Sequence, residues 1–518
     1  MPEVIVAGGG HNGLTAAAYL AKAGLDVEVL EGKEELGGGV VTHEATLPGF
    51  RHDLHAIAHI FIHGNPMISD DELGLLSRHG LRYVHPDPSM SVVFPDGDFI
   101  AFHRDVHKTA ETIAAISRPD AENYLRFHEF ASPLLDMLLP AFFAPPAPMG
   151  ALLSQLDSTE TGQEMIRVLM MSYLDVCREW FEHPKVIAAL TRWVSELLIA
   201  PEEGGTGAFL LMMVPFIHRY GMGYVETGSG ALTDALVASI TEHGGRIRTG
   251  AVVRRFLFDG DRVSGVELTT GEELRAERAV VANLNIKQLP EMTGDRFGAD
   301  WRRKVERIKP VGFGLLAGHL ALSEAPVFTA GEHAGAAGFQ EITAPLPDLL
   351  RAFDKLKYGE PIHSIPSIAV PSVWDPTRAP DGKHTLYLLS YAPTELAEGD
   401  WDSRKEEIFD RVFDTFCAQT TNMSADKVLA RVVHSPLDSA RFNAAWPGGD
   451  PGHFGCQLFQ FLGYRPLPNM GYRLPAKGFY LVGPSTHPGQ GVTGGARAGA
   501  RVVLEDLGYD FAKVVGTP

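Results

Sequence analysis

A chain of 518 residues is too long for one compact core and points to two or three domains. A formal charge of −19 argues against nucleic acid and against anionic membrane surfaces, both of which favour basic patches. Three widely spaced cysteines, Cys177, Cys417 and Cys456, contain no C-x-x-C pair, so neither a disulfide framework nor a zinc site is indicated and a reducing, cytoplasmic compartment is expected.

The first stretch, "VIVAGGGHNGLTAAAYLAKAGLDVEVLE", reads as strand, glycine turn, helix and second strand. With a strand starting at Val4, no signal or transit peptide is expected. Gly8, Gly10 and Gly13 have the G-x-G-x-x-G spacing: the first permits the tight turn, the second lets a pyrophosphate approach the backbone, and the third lets helix and strand come close. Free N–H groups at the helix start attract the phosphate. Glu31 follows about 20 residues on, where a carboxylate accepts from both ribose hydroxyls and repels a 2′-phosphate. The ligand is therefore FAD or NAD. Lys33 and a second glycine turn, Gly37-Gly38-Gly39, follow directly, where an NAD-binding unit usually enters another helix; a second backbone approach to phosphate suits the longer FAD.

Residues 66–222 read as a mostly helical insertion. Its longest apolar stretch, "MLLPAFFAPPAPMGALL", is broken by Pro140, Pro145, Pro146 and Pro148, and "FLLMMVPFI" falls far short of a membrane span, so both read as pocket or lid walls. Residues 223–300 give a helix and several short strands with hairpin turns at "FDGDR" and "TTGEE". Residues 301–469 carry strand-like runs, GLLAGHLAL and HTLYLLSYAP. "VGFGLLAGHLAL" imitates a second nucleotide fingerprint but lacks the strand, turn and helix around it, so it reads as a strand and no NAD(P) site is expected. Residues 470–518 return to a strand, a glycine turn and a small-residue helix starting near Val492.

Four segments in order, "GGGHNGLTAAAYLAKAG…VLEGKEELGGGVVTHEATLPGF", "GYVETGSGALTDAL", "DPTRAPDGKHTLYLLSYAP" and "GFYLVGPSTHPGQGVTGGARAGA", resemble phytoene-dehydrogenase-like flavoproteins of the flavin amine oxidase superfamily, the group of carotenoid desaturases and isomerases. The resemblance implies an α/β fold: a discontinuous Rossmann-like FAD-binding domain of glutathione-reductase type from 1–65, 223–300 and 470–518, the helical region 66–222 over the substrate, and an α+β substrate domain at 301–469. By the same resemblance Gly8, Gly10 and Gly13 meet the pyrophosphate, Glu31 the adenosine ribose, Gly38 and Gly39 the ribityl and phosphate region, and Val252 and Val253 the adenine. Gly483 and the turn Gly491-Val492-Thr493 reach the ribityl chain and flavin, and Asn12, Lys33 and Val40 complete the set. Gly39 departs from the wider superfamily, where an arginine often stands near the flavin.

The activity implied is that of an FAD-dependent desaturase, dehydrogenase or oxidase that takes a hydride from a lipophilic, unsaturated or aromatic molecule onto flavin N5, with oxygen or a quinone as acceptor. An amine oxidase, a redox-neutral isomerase and an FAD-stabilised binding protein are the alternatives, and a homodimer is left open. Cys456 precedes Gly483 at a separation like that of the flavin-carrying cysteine of some amine oxidases, but its surroundings differ, so FAD is expected to be non-covalent. In "RHDLHAIAHIFIH", His52, His55, His59 and His63 have helical spacing, which would align them on one face. Without accompanying carboxylates or cysteines they are not read as a metal site. His55 and His59, among apolar neighbours, are the candidates for accepting a substrate proton, packing being the plain alternative.

Overall fold

The computed structural model describes residues 1–516. Strand β1 (Val4–Ala7) is buried at every residue, the pattern of a strand covered on both faces, and helix α1 (His11–Lys22) returns the chain to β2 (Val27–Leu30), parallel to β1. Strands from distant parts of the chain complete a five-stranded sheet in the order Phe479–Leu481, Ala279–Ala282, β1, β2, Arg246–Arg248, all parallel. The α1 face of Ala16, Ala17, Ala18 and Ala21 is buried, and α1 packs against helices Gly230–Glu242 and Ala496–Asp506. A three-stranded antiparallel sheet, Val253–Asp259, Arg262–Leu268 and Glu273–Arg275, turns at Gly260 (φ 57°) and Gly271 (φ 86°), within the two expected hairpin turns.

The second large sheet has seven strands, in the order Val428–His434, Phe313–Leu322, His384–Pro393, Ser367–Ala369, Phe339–Ile342, Met90–Val93, Phe99–Phe102. GLLAGHLAL lies in a strand, in register with HTLYLLSYAP from Phe313↔Pro393 to Leu322↔His384. Gly318 is required there, because a Cβ would stand 2.0 Å from the Phe409 ring. One face of this sheet packs on helix Trp401–Ala418, while the other carries Leu315, Phe339, Tyr387 and Leu389 toward a cavity.

Three expectations need correction. Residues 66–222 are not helical throughout: "MSVVFPDGDFIAF" forms a hairpin through Gly97 (φ 91°) that supplies two strands of the seven-stranded sheet, and the helical layer runs mainly from 106 to 220. The closing helix starts at Ala496 rather than near Val492, after Gly494 (φ 66°) ends the turn. The histidine stretch is not a helix. His52–Asp53 is a two-residue strand paired with Thr42–His43, and only Phe61–Gly64 forms a 3-10 turn. The cause is Asp53, which accepts from Arg378 Nη2 (2.8 Å), Ser229 N–H (2.8 Å) and the Thr42 hydroxyl (2.6 Å). Arg378 also donates to Asp375 at 2.9 Å, and the whole cluster is buried, so these distant partners hold 52–53 extended where local periodicity would coil it.

Among the described residues, no helix is long and apolar enough to cross a membrane, and no group of three or more His, Cys, Asp or Glu side chains could hold a metal ion.

Burial depresses His52, His218 and His487 to about 4, and His63 and His453 to about 3. Each of these five stays neutral in the fold while its unfolded form, near 6.5, takes up a proton. Stability is therefore full above pH 6.5 and falls as pH drops toward 4, by up to about 1.4 kcal/mol per pH unit for each residue. Thermal unfolding followed by circular dichroism should show a falling Tm from pH 7 to pH 5; an unchanged Tm would contradict this.

Candidate active site

The glycine turn after β1 is shaped by close approach. Gly8 has φ 108°, and a Cβ there would stand 2.6 Å from the Asn283 carbonyl oxygen; at Gly13 it would stand 2.0 Å from the Gly8 carbonyl oxygen. The first and third glycines thus serve packing of backbone on backbone. Gly10 differs: the nearest atoms to a Cβ are Asn283 Nδ2 at 3.1 Å and Gly38 Cα at 3.8 Å, and the residue borders the cavity. The two glycine turns are joined by Gly37 N–H donating to the Gly9 carbonyl (2.9 Å) and His11 N–H donating to the Gly37 carbonyl (3.1 Å). At the end of β2 the Glu31 carboxylate accepts from Gly9 N–H at 2.7 Å and Lys33 N–H at 2.9 Å, which fixes it beside the turn.

A cavity of about 640 Å³ runs from these turns to the seven-stranded sheet. It is bordered by Gly8, Gly10, Asn12, Glu31, Lys33, Gly38, Gly39, Val40, Val252, Val253, Gly491 and Val492. Gly13, Gly483 and Thr493 do not border it and shape it from behind. A Cβ on Gly483 (φ 99°) would stand 2.6 Å from Asn283 Oδ1, while the Thr493 carbonyl accepts from Asn65 Nδ2 at 2.9 Å. Val252 directs its carbonyl to Thr269 N–H at 2.9 Å. A long groove with bare glycine backbone and a fixed carboxylate at one end, and a second glycine turn at Gly491 further along, fits an adenine dinucleotide of FAD length.

Gly39 has a steric reason to lack a side chain. A Cβ would stand 3.0 Å from the Trp446 indole, so Trp446 fills the space an arginine side chain would enter. Trp446, Phe442 and Lys33 make one cluster with His55: the His55 ring lies 4.8 Å from Trp446 and 4.7 Å from Phe442, and Lys33 Nζ lies 3.4 Å over Phe442. His55 borders the cavity, and its Nε2 has no hydrogen-bond partner. Burial, then the His434 and Lys33 charges, lower it to about 3, so the ring is neutral at ordinary pH. His59 does not reach the cavity: its ring nitrogens lie 3.1 Å from the Tyr83 hydroxyl and 3.2 Å from the Ser229 hydroxyl, and it is wholly buried. Of the two candidate proton acceptors, only His55 borders the cavity, and the helix that would have aligned them is absent.

Sequence reasoning did not find Phe442, Trp446 or Arg465. The signal for the first two was an aromatic pair in "RFNAAWPGGD", within residues 301–469. Arg465 is fully buried and donates to the carbonyls of Pro484 (2.8 Å), Gly452 (2.9 Å) and Gly455 (3.0 Å), which ties the 452–465 loop to the turn that leads to Gly491. An arginine committed to backbone carbonyls has no charge pattern to announce it.

The parallel sheet, paired glycine turns and apolar cavity together define a dinucleotide-binding oxidoreductase. Residues 13–504 match the family described as flavin containing amine oxidoreductase, and the chain belongs to that family. It is similar to pyridine nucleotide-disulfide oxidoreductase domain-containing protein 2 of Rattus norvegicus, 31% identical over 98% of this chain and 94% of the relative. It is also similar to one of the limonene dehydrogenase subunits of Castellaniella defragrans, 28% identical over 98% of this chain and 95% of the relative. Among solved structures, an oxidoreductase from Methanosarcina mazei shares the fold, with a TM-score of 0.64 at 18% identity over 97% of this chain and 99% of that one. The protein is an FAD-dependent oxidoreductase.

Gly10→Val should abolish FAD binding, because the branched side chain would enter the groove between the two glycine turns. Glu31→Ala should weaken FAD by about 1.5–3 kcal/mol, the worth of hydrogen bonds to a charged group. Fluorescence titration of apoprotein measures both, and full FAD retention by Gly10→Val would overturn the assignment. Cys456 is buried, its thiol raised by burial, and it does not border the cavity. Acid precipitation should therefore release all FAD into the supernatant; yellow colour left in the pellet would show a covalent link.

Proposed function

We propose that the protein oxidises a lipophilic, unsaturated or aromatic small molecule, with oxygen or a quinone as the final acceptor. The observation that carries this reading is the apolar side-chain lining of the cavity, formed by Leu315, Phe339 and Leu389 from the seven-stranded sheet, Trp193 and Met213 from the helical layer and Phe61 from its 3-10 turn. A dry site of this kind excludes water and holds a C–H bond in place. Bound FAD supplies the two-electron acceptor. Similarity to a component of a limonene dehydrogenase supports a dehydrogenation.

Within this reading His55 is the group that receives a substrate proton. It borders the cavity with Nε2 unpartnered, and it is neutral without help from pH. A base held near pKa 3 is weak, so its share of the rate falls at the low end for such groups, about 10².

An anaerobic screen of lipophilic alkenes, alcohols and ketones should find compounds that bleach the flavin spectrum, while NADPH should not bleach it at a useful rate. Rapid bleaching by NADPH, or by hydrophilic amines alone, would contradict the reading. With such a substrate, His55→Ala should lower turnover about 10² at unchanged FAD content. His59→Ala, placed away from the cavity, should leave turnover within a few-fold. Because His55 remains neutral down to about pH 4, the rate profile should show no acid limb near 6.5. A limb there that disappears in His55→Ala would overturn the assigned environment.

A further inference from the structure

The cavity wall contains a carboxyl group that the chemistry described so far does not use. Glu341 lies in the strand Phe339–Ile342 on the same face as Phe339, and both border the cavity. Its side chain is 0% exposed, and as an ionised carboxylate neither of its oxygens would have a donor to accept from. Leucine or methionine would fill such a position without leaving a polar group unsatisfied.

Glu196, just after helix Pro184–Ser195, borders the same cavity. Its Oε1 accepts from Arg192 Nη1 at 2.7 Å, from the Tyr391 hydroxyl at 3.1 Å and from the Ser367 hydroxyl. All three bonds go to one oxygen, which leaves Oε2 for a further donor. Arg192 Nη1 is 3.8 Å from Glu341 Oε1, beyond hydrogen-bond reach, so one guanidinium faces two carboxyls and bonds only one. Burial pushes the Glu341 carboxyl well above the ordinary range against the pull of Arg192, helped by the repulsion of Glu196 and by a hydrogen bond between the two carboxyls. Glu341 therefore keeps its proton, and the group of three side chains is neutral: one cation, one carboxylate and one carboxylic acid.

We propose that Glu196 and Glu341 form a hydrogen-bonding anchor in the substrate cavity, and that the substrate is a lipophilic molecule carrying one neutral hydroxyl group. The two carboxyls share one proton, and a hydroxyl can insert between them because it both accepts from the Glu341 acid and donates to Glu196. An ammonium group has no lone pair to accept from the Glu341 acid, and a carboxylate would meet Glu196. The inference rests on reading the cavity as a lipophilic substrate site, and it separates this chain from an amine-oxidising one.

The test is titration of the holoenzyme with tetralin, 2-tetralol and 2-aminotetralin, followed by the flavin absorption spectrum under anaerobic conditions. Wild type should bind 2-tetralol about tenfold or more tighter than tetralin, the worth of one well-made hydrogen bond, and tighter than 2-aminotetralin. Glu341→Leu, with FAD content intact, should bring 2-tetralol down to the affinity of tetralin and leave tetralin unchanged. Glu341→Gln keeps a donor and an acceptor and should retain most of the preference. Equal binding of tetralin and 2-tetralol by wild type, or an unchanged preference in Glu341→Leu, overturns the anchor. Tightest binding of 2-aminotetralin overturns its neutrality. Failure of all three compounds to bind instead overturns the lipophilic site, and the anchor with it. The wild-type comparison decides the matter even where a variant fails to fold.

Discussion

The cofactor half of the molecule depends on how closely α1 approaches β1. With the Gly8 carbonyl oxygen 2.0 Å from where a Cβ of residue 13 would be, only glycine allows the contact. That contact sets the helix start over the strand end and leaves Gly10 facing the groove. The same closeness recurs where Val482 meets helix Ala496–Asp506: a Cβ on Gly499 would stand 2.6 Å from a Val482 methyl carbon. Small residues on α1 and on that last helix let both lie close to one parallel sheet, whose five strands come from sequence positions as distant as 4 and 481. The chain leaves this unit twice and returns to it: the first return adds Arg246–Arg248 and Ala279–Ala282, and the second adds Phe479–Leu481.

A second constraint joins the halves. Arg378 from the substrate domain is clamped between Asp375 and Asp53, and Asp53 in turn holds Ser229 at the start of the cofactor-domain helix. Removing one partner from such a buried set leaves an uncompensated charge, which is far costlier than the set as a whole is stabilising. The cluster holds His52 and Asp53 extended, and His55 follows at the edge of the cavity with Trp446 and Phe442 packed on it. One segment therefore holds both a residue that borders the cavity, His55, and residues tied into the frame, Asp53 and His59.

Much of the cofactor half was legible in the sequence because its constraints are local. Glycines at fixed offsets, an acid at the end of the next strand and a small-residue helix each act over a few residues. The substrate half was less so. The hairpin at 90–102 was absorbed into a helical reading because its strands are only four residues each, too short for a period of two to outweigh the long helices around them. The histidine spacing was helical by count alone, and nothing local revealed that Asp53 was committed to an arginine 325 residues away. Glu196, Glu341 and Arg465 could not be singled out, since their meaning lies in burial and in partners that only the fold supplies.

A groove that holds both halves of a dinucleotide grips the pyrophosphate at Gly10 and the adenosine ribose at Glu31. Calorimetric titration of apoprotein with FAD, FMN and riboflavin tests it most directly. One FAD per chain should bind, at least about 100-fold tighter than FMN, because two or more hydrogen bonds and the pyrophosphate contacts are lost with the adenosine. Equal affinity for FAD and FMN would show that the turns around Gly10 and Gly38 do not hold a dinucleotide, and would contradict the account.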